Sequence, residues 1–253
     1  MEMPIIDIEV FFDDFVEEYG GEVSDRILTG PNKPRNADYI FHNEEVVAEL
    51  KVLRDPLRNR AFKKSSQNKQ REWVRKGYIT LQELNRIKTI GELPEKCYRD
   101  IKKLYSRSLE VHIKSANKQI RDTKERLSLE DYKGLLFLVS DGNYLLQPKF
   151  IRYNVAILLD KPTVFRSINT VVYMTINMLT IRSDDQRPSM LWIDLYRKEL
   201  DKVPTEVLNN LFEGWASHYK KATGTDIRKE YEVNEEGITA ENLLDDTRFS
   251  TPL

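Results

Sequence analysis

The chain has 253 residues, 40 of them basic and 41 acidic, for a formal net charge of −1 and a mean hydropathy of −0.56. That length suits one elaborated domain with a substantial core, the near-zero charge argues against a general nucleic-acid coat, and the longest apolar runs, such as 155–159, fall far short of the roughly 20 residues a membrane span needs. Cys97 is the single cysteine, and His42, His112 and His218 lack metal-ligand spacing, so neither a disulfide nor a zinc centre is expected.

In chain order, residues 5–19 place Ile8, Phe11, Phe12, Phe15 and Tyr19 on one helical face, and Gly20-Gly21 ends the helix. Glu22–Thr29 reads as a first strand, with breakers over Gly30–Pro34. A hairpin follows: Ala37–Phe41, the polar turn His42–Glu45, and the apolar run Val46–Leu53. Residues 54–96 form a polar insertion in which short helices are expected. A long helix spans 99–127, with Leu109, Ile113, Ala116 and Ile120 as its inner stripe. Gly134–Gly142 is a short continuous apolar run, as in a buried central strand. A helix is expected at 149–160, strands at 170–176 and 190–196, and a last helix at 204–222 started by Pro204. Trp192 and Trp215 are expected in the core. The fold class is therefore α/β (α+β), a central mixed sheet flanked by helices, forming one domain over 1–225 with an acidic tail at 226–253.

Within Val46–Leu53, the two charged residues Glu49 and Lys51 interrupt a segment that otherwise reads as buried. Alternation puts both on one face of the strand, opposite Ala48, Leu50 and Val52. Asp38, on the partner strand, can converge with Glu49 across the hairpin. Two close carboxylates repel, and a divalent cation with oxygen ligands relieves that repulsion, with magnesium the natural choice and manganese a substitute. Lys51 would sit beside such an ion, placed to orient a water or to stabilise charge on a phosphate oxygen. Read from the residues alone, a solvated Glu49–Lys51 pair on an exposed strand face stands as an equal alternative.

At these residues the chain resembles the PD-(D/E)XK nuclease superfamily, the restriction-endonuclease-like fold. Asp38 matches the first acid, Glu49 the second and Lys51 the lysine, although Ala37 replaces the proline usually found before the first acid. The resemblance covers roughly 5–145. It implies an αβββαβ core extended here by a C-terminal strand pair and helix, and a magnesium-dependent endonuclease-like hydrolase acting on DNA, with restriction of foreign DNA as one setting. The first helix of the family often adds a glutamate to the metal site, for which Glu18 is a better candidate than Glu17. The helix after the lysine-bearing strand often turns a polar or basic residue toward the site, for which Lys118 and Gln119 are candidates. A catalytically inactive nucleic-acid-binding or assembly protein of the same fold is the alternative.

Basic residues dominate 54–76, including Lys63, Lys64, Lys69 and Arg71, as a phosphate backbone requires. Trp73 and Tyr78 are expected to stack on unpaired bases. Lys114, Lys118 and Arg121 add a basic helical face. Nucleic acid, with DNA preferred, is thus the expected partner. A homodimer is compatible with cutting two strands, no membrane contact is expected, and with no secretory pattern a cytoplasmic protein is expected. Residues 234–253 are expected to be disordered or to fold on a partner.

Overall fold

The protein is described by a computed structural model over residues 6–27, 36–54, 60–87, 92–141, 148–161, 164–176, 180–181, 188–196 and 200–230. In chain order the elements are α1 (Ile8–Tyr19), β1 (Glu22–Val23), α2 (Ser24–Ile27), β2 (Tyr39–Phe41), β3 (Val46–Leu53), α3 (Arg60–Arg75), α4 (Leu81–Arg86), α5 (Glu95–Leu127), β4 (Lys133–Asp141), α6 (Pro148–Leu159), β5 (Thr170–Ile176), β6 (Thr180–Ile181), β7 (Pro188–Tyr196), α7 (Thr205–Thr223) and β8 (Arg228–Glu230). Among the described residues, no helix is long and apolar enough to cross a membrane.

The strands form one mixed sheet in the order β1-β2-β3-β4-β5-β7, with β6 and β8 both paired to β7. β1, β2 and β3 are an antiparallel meander. β3 and β4 are parallel, as are β4 and β5, while β7 runs antiparallel to β5. The parallel centre explains why β3, β4 and β5 read as near-continuous apolar runs, since both of their faces are covered.

One face packs on α1 and α7, where Phe12, Phe15, Tyr39, Ala48, Leu50, Phe137 and Trp215 share a core. α1 and α7 approach closely at Gly214, where an added Cβ would lie 2.7 Å from the Tyr19 ring. Gly20, at φ 95°, ends α1 in the left-handed conformation that glycine adopts without strain. The other face packs on α5 and α6, burying Val47, Leu136, Leu138, Val171 and Tyr173 against Ile113, Ala116, Ile120, Ile151 and Val155. Trp192 and Trp215 are core residues as expected, 3 % and 0 % exposed.

The structure departs from the sequence reading in four places. The first strand is only Glu22–Val23, because the chain turns into α2 at Ser24, whose amide donates to the Asp38 carbonyl at 2.8 Å; of the expected strand, residues 28–29 lie outside the described residues. The long helix begins at Glu95 rather than 99 and runs for 33 residues. The insertion is not merely polar: Phe62, Trp73 and Ile79 pack with Cys97, Ile101 and Tyr105 of α5 in a third, separate core. Finally, the sheet continues past the 225 boundary into β8, which runs parallel to β7 beside the buried Ile227. Residues 231–253 lie outside the described residues.

Candidate active site

β2 and β3 set the site. Tyr39 pairs with Ala48, so one step beyond the ladder Asp38 stands across from Glu49, and Asn36 from Lys51 two steps further. Tyr39 and Ala48 face α1, which turns Asp38, Glu49 and Lys51 toward α5. The Leu50 amide donates to Asp38 Oδ2 at 2.8 Å, fixing the carboxylate against the β3 backbone.

Glu49 is fully buried. Lys51 Nζ donates to its Oε1; the buried Oε2 receives no N–H or hydroxyl donor among the described residues, and the Glu49 and Asp38 carboxyls hydrogen-bond to each other through the proton Glu49 keeps. Burial, then the neighbouring Asp38 carboxylate, pushes the Glu49 carboxyl up to about 8, against the opposing pull of Lys51. Asp38 is also raised, chiefly by burial, with the Leu50 amide and Lys51 pulling the other way. Both carboxyls therefore resist ionising together, which is what a cation between them would relieve.

α5 holds this group from above. Gln119 Oε1 accepts from Lys51 Nζ at 3.0 Å and from Ser115 Oγ at 2.8 Å, and its Nε2 donates to the Asn36 carbonyl at 2.8 Å. Thr123 Oγ1 accepts from the Ala37 amide at 2.8 Å, and Arg126 donates to Asn36 Oδ1. Ser115, Gln119, Thr123 and Arg126 recur every three or four residues, so one helical face clamps the segment that carries Asp38. His112, one turn before Ser115, is held below the usual histidine range by burial and then by the Lys51 charge.

Asp38, Glu49, Lys51 and Gln119 are thus brought together, with Gln119 buried and turned inward rather than presented to a ligand. Glu18 is not brought to them. Its carboxylate accepts from His218 Nδ1 at 2.7 Å and from Lys221, both on α7, and these partners hold it below the usual carboxylate range. The acid outside β2 and β3 whose charge raises Asp38 is Asp25 on α2. Asp25, Asn36, Thr123 and Arg126 were missed because the sequence reading assigned 22–29 to a strand and gave the last turns of α5 no partner.

Lys63, Lys64, Arg71 and Lys118 are exposed. Lys114 pairs with Glu110 at 3.0 Å, and Lys69 with Glu72 at 2.9 Å. Trp73 is not a base-stacking platform: it is 1 % exposed and donates through Nε1 to Asp100 at 3.0 Å. The Tyr78 ring is covered by Lys96, whose Nζ lies 4.1 Å from its centroid.

The donor set fits magnesium. That ion is commonly held by one or two carboxylates, keeping waters and taking oxygens from a bound phosphate. The Asp38 and Glu49 carboxyls would supply the protein's share, the ion taking the place of the proton they share; among the described residues no cluster of three or more histidine, cysteine, aspartate or glutamate side chains suited to a metal is present. Compared with known proteins, the chain matches no family model, no curated protein and no solved structure.

Proposed function

We propose that the chain is a metal-dependent nuclease of the PD-(D/E)XK type that hydrolyses phosphodiester bonds in DNA. The observation that carries this reading is the buried Glu49 carboxyl, held within hydrogen-bond reach of the Asp38 carboxyl and beside Lys51, so that two acids share one site. The order α1-β1-β2-β3-α5-β4, with an antiparallel meander and then a parallel strand, supports it as the core that the family resemblance implies.

When bound, magnesium would neutralise charge developing on the phosphate and lower the pKa of its water. Asp38 and Glu49 would hold it. Lys51, kept in place by Gln119, is set to orient the attacking water or to donate to a phosphate oxygen. Hydrolysis breaks the P–O bond to the leaving strand end and adds water across it, so no further reactant is required.

The test is magnesium-dependent cleavage of DNA by the purified chain and by Asp38→Ala and Lys51→Ala. Loss of cleavage in both is expected, and unchanged cleavage in either would falsify the assignment. A second reading, a binding or assembly protein that has kept the fold without turnover, is favoured by the complete burial of Glu49 and its ion pair with Lys51. Under that reading, a magnesium titration shows no heat lost on Glu49→Ala.

A further inference from the structure

α3 carries charge that its own stability does not explain. Of its sixteen residues six are basic, and Glu72 alone is acidic. Glu72 is spent on one solvent-accessible flank, where it pairs with Lys69 and Lys76 while Lys69 also approaches Asp100 at 3.8 Å. Phe62, Ser66 and Trp73 are buried against α5. On the opposite side Arg60, Lys63, Lys64, Arg71 and Arg75 are all exposed, and none has an ion-pair partner among the described residues.

Their placement works against the helix. Arg60–Lys64 and Arg71–Arg75 are like-charge pairs at i,i+4, which destabilise. Arg60, Lys63 and Lys64 also crowd the N-terminal turns, where no acid is present and the helix dipole disfavours cations. A solvated face selected only for stability would interleave acids, as the Lys69–Glu72–Lys76 side does.

The stripe also lacks what unpaired bases would need. Among the described residues, the exposed aromatics are Tyr153 on α6 and Tyr196 on β7, neither on α3. The two aromatics of the insertion available for stacking are spent, Trp73 in the core and Tyr78 under Lys96. What remains is cations alone over about 22 Å of helix, a length matching about six base pairs of duplex at 3.4 Å each.

α3 packs antiparallel to α5, with Phe62 against Tyr105 and Trp73 bonded to Asp100. Its N-terminal end therefore lies toward the part of α5 that reaches Lys51, and the stripe leads away from there.

We propose that the exposed stripe Arg60, Lys63, Lys64, Arg71 and Arg75 is a docking surface for the phosphate backbone of double-stranded DNA flanking the Asp38–Glu49–Lys51 site. This rests on the nuclease reading for its polymer, but not on turnover. Contact is to phosphates only, so it positions the duplex without reading its sequence.

The experiment measures binding of the full chain in EDTA to a labelled 30-base-pair duplex and to the same 30 nucleotides as a single strand, as a function of salt. Wild type is expected to bind the duplex more tightly. Lys63→Gln/Lys64→Gln/Arg71→Gln is expected to lose about tenfold or more in affinity, with the salt slope reduced by about one for each contact removed. Arg60→Gln/Arg75→Gln, at the two ends of the stripe, gives an independent second reading, and thermal melting that is unchanged or raised, as the loss of like-charge pairs allows, shows that both variants fold. Equal or tighter binding of the single strand overturns the proposal, as does an unchanged salt slope in both variants, or loss of binding to anionic phosphatidylserine vesicles in place of DNA. Because no hydrolysis occurs in EDTA, a chain that binds through α3 but never cuts sinks the nuclease reading alone. A chain that cuts while both variants bind normally sinks the docking surface alone.

Discussion

Gln119 Oε1 lies 3.0 Å from Lys51 Nζ, and the same side chain's Nε2 lies 2.8 Å from the Asn36 carbonyl oxygen. One amide on α5 thereby joins the β3 lysine to the segment that delivers Asp38. Its orientation follows from that pairing, since a cation requires the oxygen and a carbonyl the nitrogen.

Replacing Gln119 with alanine leaves the Asn36 carbonyl without its donor and Lys51 with Glu49 alone. Stability is expected to fall by about 1–3 kcal/mol, measured by urea denaturation, and cleavage to fall with it. Gln119→Glu keeps the acceptor for Lys51 but not the donor for Asn36, so it should recover part of the cleavage and little of the stability.

Glu49 makes the metal-free protein pH-sensitive. An acid whose range is raised from 4.5 to about 8 holds a proton in the folded state that the unfolded state releases. Between those values stability therefore falls as pH rises, and it levels off above about 8. Thermal melts from pH 5 to 9 should show that decline, and Glu49→Gln, which cannot ionise, should flatten it.

Magnesium binding at this pair must displace the Glu49 proton below pH 8. Its affinity is expected to rise about tenfold per pH unit up to that point, with proton uptake by buffer visible in calorimetry. Saturation at a hundred times Kd should stabilise the chain by about 2.7 kcal/mol, reversed by EDTA and absent in Asp38→Asn.

Glu18→Gln is expected to leave that magnesium stabilisation intact, because the carboxylate is turned to His218 and Lys221 on α7. The pair is largely exposed on the Glu18 side, so the stability cost should stay under about 1 kcal/mol.

Trp73→Ala should cost about 3–5 kcal/mol in the insertion core, whereas Trp73→Phe should retain DNA binding. A Trp73 that stacked on bases would instead lose affinity in the phenylalanine variant by more than its change in stability accounts for.

The periodic parts of this fold were legible in the chain. The α1 stripe of Ile8, Phe12 and Phe15, the shared face of Glu49 and Lys51, and the apolar run of β4 follow from periods of 3.6 and 2 that a local reading can count. The hairpin register was close to legible as well, because a four-residue turn between 41 and 46 brings Asp38 near Glu49.

What tertiary structure alone decided was which neighbour covers each face. Lys118 and Gln119 are adjacent in sequence, yet only Gln119 is buried, because β3 and Asn36 lie on its side of α5. Trp73 and the charges around it belong to a polar stretch by composition, and its burial depends on Cys97, Ile101 and Tyr105, more than twenty residues away on α5. Glu18 shares a helix edge with apolar residues, and α7, 200 residues later, claims its carboxylate. Side-chain periodicity is a local property of the backbone, whereas the partner across a packed face is set by long-range closure of the chain.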